Sequence, residues 1–125
     1  MRTWRLDLDA DAHAPRLARH SVRAWLDLVA CSDETKADIT IVVSDFVSDA
    51  VTSAATHVTI LLVFDDGRLR VDVHADRHEA LIDLDHQAGA TPCQSLADRI
   101  TEAATDSWGR TRTPDETHSW AEILC

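Results

Sequence analysis

Glycine occurs only 3 times in the 125 residues, and proline 3 times. A phosphate-cradling loop needs glycines, because only a missing side chain lets backbone N–H groups close on a phosphate. A glycine-rich nucleotide loop is therefore nearly excluded from the start. Positive charge is also scarce, with 12 Lys and Arg against 22 Asp and Glu for a net charge of -10. Such a surface repels a nucleic-acid backbone and suits a basic protein partner better. Cysteine is limited to Cys31, Cys93 and Cys125. That odd number without paired spacing predicts reduced, structurally minor thiols in a cytosolic protein. The opening residues lack the apolar run of a secretory signal and no stretch is long enough to span a bilayer, so the expectation is a cytoplasmic protein with no membrane partner.

What is present fits one folded domain over residues 1–125: 45% hydrophobic residues against 27% charged. Trp4, Leu6 and Leu8 alternate with charged residues, the period of a half-buried strand. Leu17, Val22, Trp25, Leu26 and Val29 recur at helical spacing. They predict a helix from about Asp11–Pro15, with Asp as cap, to about Ala30–Ser32. Ser32 is the expected N-cap of a second helix whose apolar stripe runs from Ile39 through Val43, Phe46 and Val47 to Ala54. Strands are expected at Thr56–Phe64 and Arg68–Ala75, joined by a tight turn at Asp65-Asp66-Gly67. Residues 76–92 read as a long acidic loop or a short extended segment, and Cys93–Ser107 as a third helix. Strands at Trp108–Thr113 and Thr117–Leu124 close the chain around a turn at Pro114-Asp115-Glu116. The order β-α-α-β-β-α-β-β groups strands into hairpins, which predicts an α+β, two-layer sandwich with a mostly antiparallel sheet and helices on one face.

Four stretches carry a resemblance to a known family. Ile41-Val42-Val43-Ser44-Asp45-Phe46-Val47-Ser48-Asp49-Ala50-Val51 is similar to a VVSELVTNAV helix, and Gly67-Arg68-Leu69-Arg70-Val71-Asp72-Val73 to a GRLRVEV strand. Asp106-Ser107-Trp108-Gly109 is similar to DRWG, and Trp120-Ala121-Glu122-Ile123-Leu124 to WAEL. In this order they resemble the anti-sigma-factor/serine-kinase family of histidine-kinase-like (GHKL) ATPases, whose fold is the Bergerat sandwich.

The resemblance implies a nucleotide site, and the residues at its positions differ from the family's. Where the family has a catalytic Glu and, one turn later, a magnesium-binding Asn, this chain has Asp45 and Asp49. Asp49 is able to hold Mg²⁺ if ATP binds, but it adds a carboxylate beside a triphosphate. The adenine-binding Asp falls by count on Ala75, and Asp76 substitutes only through a bulge, since one residue reverses the face of a strand. The family's glycine motif ahead of the third helix falls on Ser95-Leu96-Ala97, where side chains obstruct phosphate approach. Asp45, Asp49, Asp76 and Ser95 are thus expected as vestigial site positions, with no cofactor bound.

The function expected from the resemblance is regulation by protein-protein binding to a sigma factor, a STAS-domain antagonist or both, without kinase activity; a homodimer is also implied. The alternative is an active Mg-ATP-dependent serine kinase acting on the STAS antagonist through Asp45 and Asp49. A remodelled pocket for another small ligand is a third reading. His74, His78 and His86, with Asp76, Glu79, Asp83 and Asp85, form an acidic histidine-bearing segment that reads as a solvated loop and, secondarily, as a metal site. His57 and His118 read as exposed strand positions. Arg16, Arg19 and Arg23 read as a solvated helix face, the four tryptophans as core or rim anchors, and no Ser/His/Asp triad signature is present.

Overall fold

The computed structural model describes residues 1–76 and 101–125. They form β1 (Arg2–Asp9), α1 (Ala14–Leu26), α2 (Asp33–Thr52), β2 (His57–Asp65), β3 (Arg68–Asp76), β4 (Ser107–Arg112) and β5 (Glu116–Leu124), and residues 101–104 are helical. The strands make one sheet in the order β1-β2-β3-β5-β4, antiparallel at every pairing. This is the expected α+β architecture. Among the described residues no helix is long and apolar enough to cross a membrane.

Strand alternation divides the sheet into two faces. Val58, Ile60 and Leu62 of β2, Leu69, Val71 and Val73 of β3, and Ala121 and Ile123 of β5 are buried. They pack in one core with Val42, Val43, Phe46, Val47 and Ala50 of α2 and Val22, Trp25 and Leu26 of α1. α2 is rich in β-branched residues and has little intrinsic helix preference, so this packing and its cap must supply the stability. The cap is Ser32, whose Oγ accepts a hydrogen bond from the Thr35 N–H at 3.1 Å. Trp4 reaches from β1 to stack on Trp25, ring centroids 6.3 Å apart.

The β2–β3 hairpin closes through Asp66 and Gly67 at φ of 51° and 74°. Two consecutive positive φ values match the right-handed strand twist, which is why a Gly at the second position suits this turn.

Three expectations need correction. α1 stops at Leu26, because Leu28 and Val29 donate back three residues, to the Trp25 and Leu26 carbonyls, and tighten the turn. The third helix does not run to Ser107: Asp106 already bonds β5, through its N–H to the Glu122 carbonyl and its carboxylate to the Leu124 N–H. Nor are all the thiols free. Cys31, between the helices, and Cys125, which prolongs β5 beside Gly67, are joined in a disulfide with Cα atoms 4.9 Å apart. A separation of 94 residues gave no hint of that meeting.

Candidate functional site

The candidate site lies where the second half of α2 crosses β4 and β5. The inward turns of α2 place Phe46 and Ala50 in the core, and Asp45 and Asp49 project from the flank one turn apart. Asp45 is partly covered, with its Oδ2 buried.

β4 supplies the other half. Its Trp108, Arg110 and Arg112 pair with Ala121, Ser119 and Thr117 of β5, all of which are buried toward the helices. Alternation therefore turns those three β4 side chains to the helix face as well. Arg110 and Arg112 reach Asp49, at 3.9 Å from Nε to Oδ2 and 3.5 Å from a terminal nitrogen to Oδ1. Arg110 is fixed further by donating to the Ser119 hydroxyl at 3.1 Å, and its guanidinium lies 5.9 Å from the Phe46 ring centre and 5.8 Å from that of Trp108. With the Asp49 side chain only 27% exposed, these contacts act in a partly desolvated corner, where charge pairing is stronger than at an open surface.

Helical spacing pointed to the two aspartates, and nothing in the sequence joined either arginine to them. The alternation of Trp108, Arg110 and Arg112 was legible, but which face of the edge strand looks at α2 is set by its pairing with β5.

Asp76 lies apart from this cluster in its contacts. β3 runs unbroken against β2, with Val58 opposite Ala75, and against β5, with Asp76 opposite Glu116, so no bulge turns Asp76 inward. Ala75 takes the buried helix-side position. The Asp76 carboxylate instead accepts from the Thr56 and His57 N–H groups, each at 2.8 Å, and from the Thr56 hydroxyl. Burial alone would raise its pKa, but these hydrogen bonds outweigh it and hold the group below the usual carboxylate range. Ser95 lies outside the described residues, as do His78, His86, Glu79, Asp83 and Asp85.

No family model matches the chain, and no curated protein matches it. Among solved structures, the crystal structure of the RsbU and RsbW domains of Rv1364c from Mycobacterium tuberculosis superposes with a TM-score of 0.77 over 99% of this chain, at 18% identity. The chain spans about a third, 32%, of the length of that protein chain. Nearly all of the chain shares a fold found within that two-domain structure.

Proposed function

We propose that this chain is an anti-sigma-type regulator that works by protein-protein contact in the cytosol and does not run a kinase cycle. Its partners on this reading are a sigma factor, a STAS-domain antagonist or both. The likeness in fold to a structure that contains an RsbW domain and the resemblance of the α2, β3, β4 and β5 sequences support the class.

The observation that carries the loss of nucleotide chemistry is the pairing of Asp49 with Arg110 and Arg112. A magnesium ligand must offer its oxygen to the ion. Here the side chain at that position is an acid flanked by two guanidinium groups at 3.5 and 3.9 Å, whose positive charge opposes an incoming cation. The place of an adenine-binding carboxylate is taken by the Ala75 methyl, while Asp76 secures the start of β2. A partner-binding surface survives such changes because it needs the folded sandwich, not the pocket. The charge of -10 favours fast encounter with a basic partner face.

Calorimetry with Mg-ATP tests the nucleotide half: no heat is expected even at millimolar nucleotide. Micromolar binding abolished by Asp49→Ala would overturn it and favour the kinase alternative. Affinity capture from native cytosol tests the partner half, and recovery of neither a sigma factor nor a STAS protein would refute it.

A further inference from the structure

On the face of the sheet away from the helices, β3 and β5 bring together residues that the sequence separates. His74 stands directly opposite His118, and the two imidazoles stack with centroids 4.1 Å apart and planes 7° from parallel. Asp72, two residues from His74 and so on the same face, accepts a hydrogen bond from His118 Nε2 through Oδ1 at 2.7 Å. Glu116, two residues from His118, is hydrogen-bonded to His74 Nδ1. The quartet is thus a cross-strand histidine pair with a carboxylate against each ring.

We propose that Asp72, His74 and His118 form a binding site for a divalent transition-metal ion of the zinc class. One potential ligand atom from each lies within 4.8 Å of the others. Zinc bonds of about 2.0–2.2 Å to nitrogen and carboxylate oxygen place neighbouring ligand atoms about 3.4 Å apart in a tetrahedron, so the set must close by roughly an ångström. Rotation of the two stacked rings about their Cβ–Cγ bonds provides that closure, since the lone pairs of parallel rings do not converge until the rings tilt. Two imidazoles and one carboxylate suit zinc, cobalt or nickel and leave a further position for water. Glu116 is the outer carboxylate that orients the His74 ring, the usual partner of a ligating histidine.

The local charge favours a dication. Asp72, Glu116 and Glu122 carry three negative charges, and among the described residues Arg70 is the arginine bonded to them, donating to Asp72 at 2.9 and 3.1 Å and to Glu122 at 2.8 Å. With neutral histidines the excess is two negative charges, which one M²⁺ cancels. Arg70 competes for Asp72 Oδ1, but Glu122 gives it a second anchor when the ion takes that oxygen. Asp72 is well covered, its side chain 14% exposed, while the histidines at 30% and 35% leave an entry path. The ion would clamp the central β3–β5 pair of the sheet, separately from the proposed partner binding.

The full chain is titrated with Zn²⁺ by calorimetry and with Co²⁺ by visible absorption. One equivalent with micromolar affinity is expected, weakened at least tenfold by His74→Ala and by His118→Ala, and less by Glu116→Gln. Circular dichroism confirms that the variants fold, which half-exposed positions on the outer face should allow. No binding by the wild type, or equal binding by the folded His74→Ala/His118→Ala double variant, overturns the site.

Discussion

Gly109→Ala gives a stringent test of the packing on the outer face. A Cβ at Gly109 would lie 2.8 Å from Cε2 and Nε1 of the Trp120 indole and 2.9 Å from Cζ2. Ordinary carbon contacts begin near 3.4 Å, so the ring must retreat by about 0.6 Å. It is not free to do so without loss, because the Arg70 guanidinium lies 5.1 Å from its centroid and is itself tied to Asp72 and Glu122. Overpacking costs about 1–3 kcal/mol and the cation–π contact contributes about 0.5–1 kcal/mol, while replacing glycine in a strand returns roughly 0.5–1 kcal/mol of backbone entropy. The last two terms cancel, so the net expectation is a loss of about 1–3 kcal/mol, or about 4–11 °C in Tm for a domain of this size. Urea and thermal unfolding measure it. In a Trp120→Ala background the same substitution should be neutral or mildly stabilising, because the obstructing ring is gone. An equal cost in both backgrounds would refute the reasoning.

The disulfide and Asp76 give two further expectations. Cys31→Ser opens a loop spanning 94 residues, for which chain entropy alone predicts about 4–5 kcal/mol and typical measured values are about 2–4 kcal/mol. Thermal melts with and without reductant should therefore differ by several degrees in the wild type and not at all in the variant, and rapid alkylation of a native extract would show whether the thiols are bonded in the cell. Asp76→Ala removes the acceptor for Thr56 and His57 and should cost on the order of 1 kcal/mol at neutral pH. Because the folded pKa lies below the ordinary 3.8, that contribution is present above this value and fades as pH falls through the folded one. A stability gap between wild type and variant that persisted in strong acid would contradict the assignment.

Local signals were legible and non-local ones were not. Ser32 announced its helix, and Asp66-Gly67 its hairpin, because each acts on atoms within a few residues. The position of Asp45 and Asp49 on one helical face followed from spacing. Arg110 and Arg112 did not join them on paper, because that requires knowing that β4 is the edge strand and that β5 inserts between it and β3. The same insertion explains the histidines. His74 was grouped with His78 and His86 by nearness in sequence, yet its structural partner is His118, 44 positions on, across the β3–β5 register. Register also decided against a bulge at Asp76, which counting residues left open.

β5 gives the two candidate sites their floor, and its alternation keeps them apart. Thr117, Ser119 and Ala121 face the helices beneath Asp49 and the arginines, whereas Glu116, His118, Trp120 and Glu122 face outward with Arg70, Asp72 and His74. One strand thus carries a corner where acid is flanked by guanidinium groups and, a sheet thickness away, a patch where carboxylates exceed cations. Neighbouring β5 positions therefore belong to different chemistries. Ser119→Ala removes the acceptor that fixes Arg110 and acts on the Asp49 corner, while His118→Ala, one residue earlier, acts on the metal patch. The period of two is the physical reason that the two faces share no β5 side chain.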